Sequence, residues 1–350
     1  MPKVLKISSH DELIAHIPHV LGFTPESSVV CVPLGGHSPT SRLDLPDAEQ
    51  DLTSWVTALT DVYLQRHPAD RMAILVYGPD GRACIEAVAA LSQALTTAEV
   101  PGPELGPLLW VNGEHWTDLL TGQEGTSDPM VRLGVDAEFA LMGRVMPAAQ
   151  RGDLEAAMHG DPIGVGQHQG PALQRVRELD EAGRERESAW LRARVEEFGQ
   201  DRRNLSDVDA ARALAILPVT EIRDDLALSM RQADAHVYSE LWHDLVRRAP
   251  DQVRDTPAAM LALTSFLEGR GAQAWMALDQ VQAPNRLANL VTAALEQAVN
   301  PRDWDRAAPQ AASMLMQAAA LNQESPTAQR TPPRASESSI VDPDTSAPGR

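Results

Sequence analysis

The first hydrophobic pattern in the chain predicts a short amphipathic helix followed by a buried strand. Leu13, Ile17 and Leu21 recur at helical spacing on one face, and Gly22 offers the left-handed conformation that commonly ends a helix. The uninterrupted apolar run of residues 28–34, SVVCVPL, comes next and is bounded by turn residues. Such a run is typical of a strand covered on both faces, so we predict a helix from about residue 10 and a strand after it.

The alternation of strand and helix patterns continues to about residue 141. In chain order we predict a short strand in RLDLP, a helix over 48–67, a strand in RMAILVYG, a helix over 83–98 and a hairpin that turns at Asn112 and Gly113. Strands that alternate with helices of this length indicate an α/β domain, a mixed sheet with flanking helices. We assign this domain to residues 1–146.

From residue 147 onward the strand signal disappears. Residues 147–171 contain GDPIGVGQHQGP, whose glycine content predicts a linker or mobile loop. Residues 172–321 are predicted to form an all-α, repeat-like helical domain with helices over 172–200, 208–217, 221–231, 233–249, 257–268, 272–281, 287–299 and 309–321. Residues 322–350 have too few bulky apolar residues to offset their ordering entropy, so we expect a disordered tail.

Charge and hydropathy exclude several classes of partner. Thirty Lys and Arg residues stand against 49 Asp and Glu residues, and the formal net charge of −19 repels phosphate backbones and anionic membrane surfaces. No window approaches the ~18 uninterrupted apolar residues of a membrane span. The two cysteines, Cys31 and Cys84, both lie in apolar stretches, so a reducing cytoplasm is the default location. The sequence therefore predicts a soluble, cytoplasmic protein that binds neither nucleic acid nor membranes.

The motifs of the common enzyme classes are missing. The chain has no G-x-S-x-G elbow, no H-E-x-x-H pair, no C-x-x-C pair and no G-x-x-x-x-G-K-[ST] phosphate loop. Their absence argues against common hydrolases, metalloproteases and redox proteins, and it identifies no cofactor. Their absence does not exclude an enzyme of an unfamiliar class.

Two histidines raise the question of a metal site. His16 and His19 are three residues apart and could share a helix face as ligands, with His10 or Asp11 as a third. Zinc normally needs a third and a fourth ligand of the right type, and Pro18 disturbs the helix that would align the pair. The sequence favours structural histidines and no metal, with His16 facing outward and His19 packed near the turn.

Polar residues near the predicted strand ends are the other candidates. Arg42 and Asp44 share one side of an extended chain, and Asp80 lies in VYGPDG after the second buried strand. We favour a surface charge pair as the interpretation of Arg42 and Asp44, and a tight turn as the interpretation of Asp80. The functional interpretation is a ligand crevice at the strand ends of an α/β sheet, with His19 as general acid or base and Arg42 for an anionic substrate.

Four stretches resemble one known family. DELIAHIPHVLGFTPESSVVCVPL, RLDLP, ILVYG and FLEGRGAQAWMALDQV are similar to the actinobacterial domain-of-unknown-function 4192 family over residues 6–299. The specific positions are Pro18, His19, Leu21, Gly22, Phe23, Pro25, Ser28, Arg42, Asp44, Pro46, Gly269, Gly271, Ala272 and Leu278. The chain departs from the family in HWTDLLTGQEGTSDP, which has no cysteine where many members have a Cys-rich turn. The resemblance implies no catalytic residue, because the family has no established function.

Two functional hypotheses follow. The stretch FLEGRGAQAWMALDQV, with its small residues Gly271, Ala272 and Ala274, resembles one helix-turn-helix unit of a tetratricopeptide repeat. Stacked helical pairs of this kind form concave surfaces that bind proteins. The leading hypothesis is therefore a protein-binding or regulatory protein that engages a protein partner through its helical domain. The alternative is an uncharacterised enzyme or small-ligand-binding protein whose site includes His19, Arg42, Asp44 and Asp80. The sequence does not set the oligomeric state.

Overall fold

The computed structural model describes residues 7–35, 38–46, 52–57, 60, 63, 67–97, 103–144, 146–304 and 306. These residues form a six-stranded sheet with helices, followed by a region of many helices. The predicted succession of an α/β and an all-α region is therefore confirmed. The predicted tail and the predicted helix over 309–321 lie outside the described residues, as do several residues of the predicted helix over 48–67.

The sheet is mixed. Its strands are β1 Ser28–Leu34, β2 Ser41–Asp44, β3 Arg71–Tyr77, β4 Glu104–Asn112, β5 His115–Asp118 and β6 Glu124–Thr126. Their order in the sheet is β2-β1-β3-β4-β5-β6, and among these described strands β3 and β4 are the one parallel pair. A parallel pair needs a crossover connection, and the helix α3 Gly81–Thr97 provides it.

Four of the described helices belong to the sheet region, and the others follow in a helical region without described strands. The sheet region contains α1 His10–Leu21, α2 Leu52–Thr57, α3 and α4 Pro129–Leu141. The helical region contains α5 Arg151–Ala157, α6 Ile163–Arg177, α7 Glu181–Asp201, α8 Asp207–Ile216, α9 Thr220–Ser229, α10 Ala235–Arg248, α11 Asp255–Leu267, α12 Gly271–Asp279 and α13 Arg286–Glu296. None of the described helices combines the length and the apolar character that crossing a bilayer requires.

Both faces of the central strands are buried. Successive residues of a strand point to opposite faces, so Ile74 and Val76 of β3 pack in the core that includes α3, while Leu75 and Tyr77 pack in the core that includes α1. Full burial of one aliphatic side chain stabilises the fold by about 1.5–3 kcal/mol. This two-sided burial explains why the strand sequences are continuously apolar instead of alternating.

The centre of the helical region is α11. Every residue from Thr256 to Leu267 is buried, and α10, α12 and α13 pack around this helix. A helix that is apolar on all sides must be enclosed by other helices. The sequence of α11, DTPAAMLALTSFL, therefore sets its central position.

Residues 147–171 differ from the predicted linker or mobile loop, since α5 and the first half of α6 lie within them. The glycines serve close packing here. A Cβ at Gly160 would lie 2.8 Å from the carbonyl oxygen of Arg247, and one at Gly164 would lie 2.4 Å from a carboxylate oxygen of Asp207. Both distances are below those of normal contacts, so Gly160, in the connection before α6, lets the chain approach the backbone of α10, and Gly164 leaves room on α6 for the Asp207 side chain. The domain boundaries themselves stay a prediction.

Two further elements differ from the prediction. The single helix predicted over 172–200 is divided between α6 and α7, because Asp180 caps a new helix by accepting a hydrogen bond from the Gly183 amide. The helix α4 was not predicted at all. Its start carries a recognisable signal, an Asp N-cap followed by Pro at the first helical position.

Replacing the cap of α4 tests how far this helix depends on its first turn. Asp128 accepts a hydrogen bond from the Met130 amide at 2.8 Å, and loss of such a cap costs about 1 kcal/mol. We expect Asp128→Ala to lower the free energy of unfolding by that amount in urea titrations, and Asp128→Ser, which can still accept the bond, to retain most of it. Equal stability of Asp128→Ala and the wild type would contradict a stabilising role for the cap.

Candidate functional site

Two of the three histidines of α1, His16 and His19, are buried against α4. His19 donates a hydrogen bond from Nε2 to Asp136 Oδ1 at 2.7 Å, and its ring stacks on Phe139 with centroids 4.1 Å apart. His16 was predicted to face outward, which is wrong: it is buried, and its Nδ1 lies 2.6 Å from the Glu12 carbonyl oxygen. The reason is α4, which covers this face of α1. Burial lowers the pKa of His19 below its ordinary value, and the hydrogen bond with Asp136 offsets part of that shift.

The predicted pair Arg42 and Asp44 lies at the end of the sheet, on β2. Arg42 Nη2 donates to Asp44 Oδ1 at 2.5 Å, and the guanidinium carbon lies 5.5 Å from the centroid of the Phe23 ring. Both residues line a cavity of about 530 Å³ between β2 and helices α11–α13, called the Arg42 cavity below. The structure therefore brings these two residues together beside an open space.

Asp80 has a local structural role. Its Oδ1 accepts hydrogen bonds from the backbone amides of Arg82 at 2.9 Å and Ala83 at 3.3 Å, at the start of α3. Neither Asp80 nor His19 lines the Arg42 cavity. Of the four candidates from the sequence, Arg42 and Asp44 share a cavity, while the side-chain contacts of His19 and Asp80 lie elsewhere.

A more polar cavity lies between the sheet region and the helical region. It has a volume of about 440 Å³, and we call it the Glu268 cavity. Its walls come from the end of α1, residues 143, 144, 146 and 148, α5, Asn204 after α7, one face of α10, and the turn between α11 and α12 with the start of α12. Because the walls come from elements far apart in sequence, the cavity exists only in the folded chain.

The helix α10 contributes a polar row to this cavity. His236, Glu240, His243 and Arg247 recur every three or four residues, so they lie on one face of the helix. The opposite face is buried in the helical core through Val237, Leu241, Trp242, Leu245 and Val246. The apolar face fixes the orientation of α10 and thereby points the polar row at the sheet region.

Glu268 is the buried acid of the cavity. Its side chain is only 3% exposed, and Oε2 accepts a hydrogen bond from Arg144 Nη1 at 3.2 Å and lies 3.4 Å from Arg270 Nε. Its Oε1 is buried and has no hydrogen-bond partner among the described residues. A buried carboxylate is costly unless its oxygens are satisfied. One oxygen of Glu268 is thus an unused acceptor in a residue that lines the cavity.

Both histidines of the cavity are shifted toward the neutral form. Burial lowers the pKa of His236, and the positive charge of Arg144 lowers it further. Burial likewise lowers the pKa of His243, with Arg247 as the second cause. Near pH 7 both rings are therefore neutral, and each can donate one hydrogen bond and accept another.

The cavity combines guanidinium donors, a carboxylate acceptor and neutral imidazoles, which suits a small molecule with both donors and acceptors. Among the residues that the structure describes, no group of three or more His, Cys, Asp or Glu side chains has a metal-binding arrangement. Sequence reasoning missed this site because its residues are spread along the chain from Gly22 to Gln273. The one local signal was the charged turn Glu268-Gly269-Arg270, which lies within a segment interpreted as helix packing.

The pKa of His19 predicts acid sensitivity. In the unfolded chain this histidine takes up a proton as the pH falls below about 6.5, whereas the folded protein resists protonation because its pKa is lowered. Stability is then fully present above that pH and is lost on acidification. We expect the urea unfolding free energy of His19→Gln to fall less between pH 7.5 and 5.5 than that of the wild type. His168→Gln, at an exposed position on α6, is the matched control; an unchanged slope in His19→Gln would refute the assignment.

The ion pair between Arg144 and Glu268 joins the sheet region to the helical region. It predicts that substitutions of these two residues have coupled effects on stability. Arg144→Met removes one of the two cations beside a buried carboxylate and should cost about 1–3 kcal/mol. In a double-mutant cycle with Glu268→Gln, the losses should be less than additive, because both variants break one interaction. Arg186→Met, at an exposed position on α7, is the control and should be additive with Glu268→Gln. Additivity of Arg144→Met would show that the pair contributes nothing.

Comparison with known proteins identifies one family. The family model described as Domain of unknown function (DUF4192) matches residues 11–302, a range that contains the sheet and the residues of both cavities. None of the curated proteins and none of the solved structures matches the chain. Because the match covers most of its length, this chain belongs to the DUF4192 family.

Proposed function

We propose that this protein binds a small polar molecule in the Glu268 cavity. The observation that carries the proposal is the unpartnered Oε1 of a buried carboxylate at the wall of a 440 Å³ space. That volume lies within the range of small-molecule sites, and a few convergent polar groups are their usual recognition elements. A ligand hydroxyl or amine that donates to Oε1 would satisfy the acceptor that the protein leaves unpaired.

The charges of the cavity favour a ligand with little net charge. Its described lining contains three arginines and four acids, namely Arg144, Arg247, Arg270, Asp153, Glu240, Asp244 and Glu268. Two of the acids are already paired with arginines outside the lining: Glu240 with Arg202, and Asp244 with Arg248. The remaining charges nearly balance, which suits a neutral or zwitterionic molecule and disfavours a polyphosphate.

The wider setting of the proposal follows from charge and thiol chemistry. Cys31 and Cys84 are unpaired and buried, as is usual for proteins of a reducing compartment, so we place the protein in the cytoplasm. The net charge of −19 argues against nucleic acid as a partner. Binding of a protein partner through the helical domain stays a prediction, as does catalysis in either cavity.

Native mass spectrometry tests the proposal on the full chain purified gently from its own cells. We expect a stoichiometric excess mass of a small molecule on the wild type, lost in Glu268→Gln because the amide cannot reproduce the charged acceptor between two arginines. Glu155→Gln, an exposed position on α5, should retain it. Circular dichroism of each variant controls for folding.

Two outcomes would overturn the proposal. One is equal retention of the ligand by folded Glu268→Gln, which would remove the cavity from the binding site. The other is a wild type with no excess mass and no thermal stabilisation by a panel of amino acids, sugars and nucleosides.

A further inference from the structure

We propose that the Arg42 cavity is a second binding site, which takes an anionic amphiphile: a molecule with a carboxylate head and an alkyl body. This site is separate from the Glu268 cavity, and the inference does not rest on the function proposed above. It is carried by the size of the cavity, its excess of positive charge, the state of Arg42 and an apolar wall that ends at an exposed tryptophan.

The cavity has a defined place in the fold. On one side lies β2, which pairs with β1 at one end of the sheet order. On the other side lie the end of α11, the start of α12 and the end of α13. The volume of about 530 Å³ is in the range of ligand sites.

The charge of the cavity is opposite to that of the chain. Arg42, Arg151 and Asp44 are the charged residues among its described lining, which gives a net charge of +1 in a chain of −19. Arg151 Nη1 lies 3.9 Å from Asp44 Oδ2, so both cations share one acid. The excess of cations favours an anion of one charge.

The guanidinium of Arg42 has the burial and the free hydrogen-bond donor that binding such an anion requires. Its side chain is 13% exposed, its guanidinium lies over the Phe23 ring, and its Nε is buried with no hydrogen-bond partner among the described residues. Its partner Asp44 is 67% exposed, and an exposed carboxylate gains little from an ion pair. A ligand carboxylate that loses its water on entering the cavity would bind the planar guanidinium more strongly and displace Asp44.

Most of the rest of the wall is apolar, although Thr40, Ser41 and Tyr63 also line it. Leu21, Phe266, Leu295 and Val299 belong to the apolar part, and so does Trp275 on α12, of whose surface 37% is exposed. The indole of a tryptophan that lines a cavity offers a large apolar surface to a ligand. The alkyl body of an amphiphile would cover this indole while its head lies at Arg42.

The test compares three probes by isothermal titration calorimetry with the full chain: decanoate below its micelle concentration, decanol at the same chain length, and acetate as the head alone. We expect saturable 1:1 binding of decanoate, at least about tenfold weaker binding of decanol, and no detectable binding of acetate, since a charge-assisted hydrogen bond is worth about a factor of ten or more.

Two variants should change the decanoate affinity in opposite directions. Arg42→Met keeps an apolar stem over Phe23 and removes the charge, so it should weaken binding about tenfold or more. Asp44→Asn removes the competing carboxylate and should strengthen binding. Arg71→Met, at an exposed position on β3, is the matched control and should bind as the wild type does. Trp275→Ala should weaken decanoate binding, and thermal unfolding checks that each variant is folded.

The proposal fails if decanoate does not bind, if decanol binds as tightly, or if folded Arg42→Met retains the wild-type affinity. Unchanged or weakened binding in folded Asp44→Asn would also overturn it, because Asp44 would then support the site instead of competing for Arg42.

Discussion

The burial of one carboxylate constrains the whole arrangement. Glu268 ends the most deeply buried helix, α11, and its side chain is almost fully enclosed. A charge in this position needs cations, and the chain provides them from two sides: Arg144 follows α4 of the sheet region, and Arg270 begins α12. This ion-pair cluster therefore joins the sheet and helical regions by a polar contact at the wall of the Glu268 cavity.

The apolar contacts between the regions hold that polar point in place. Leu154 of α5 and Ala272 of α12 pack against the core on the α1 side of the sheet, so helices of the helical region complete the burial of the sheet region. A backbone bridge between Phe23 and Ala148 and a hydrogen bond from His67 Nε2 to the Ala298 carbonyl oxygen add polar contacts across the molecule. Both cavities lie where this packing is incomplete.

The sequence predicted the elements whose pattern is local and strong. The apolar runs of β1 and β3, the turn at Asn112 and Gly113, and the helices from α8 to α13 follow directly from hydrophobic periodicity and turn chemistry. The prediction of a linker or mobile loop does not match residues 163–171, which lie in α6, because glycine gives the same signal whether the chain is flexible or closely packed. Close packing of Gly164 against Asp207 depends on contacts across 43 residues of sequence, which no local pattern contains.

The candidate sites show the same difference between local features, which the sequence predicts, and features that depend on the fold. Arg42 and Asp44 are two residues apart on one strand, so their proximity is a local property and was predicted. The position of His16 was predicted wrongly because it depends on α4, whose start signal at Asp128 and Pro129 was not recognised. The Glu268 cavity depends on six separate parts of the chain, and only the fold brings them together.

The turn between α11 and α12 has a further consequence. Glu268 and Arg270 line one cavity, whereas Gly269 and Gly271 line the other, so four consecutive residues form a common partition between two spaces. Gly269 has a φ of 80°, a conformation that side chains other than glycine rarely adopt. A molecule that shifted this backbone from one side would therefore change the shape of the cavity on the opposite side. By thermodynamic linkage, the factor by which one occupant changes the affinity for the second equals the factor in the reverse direction.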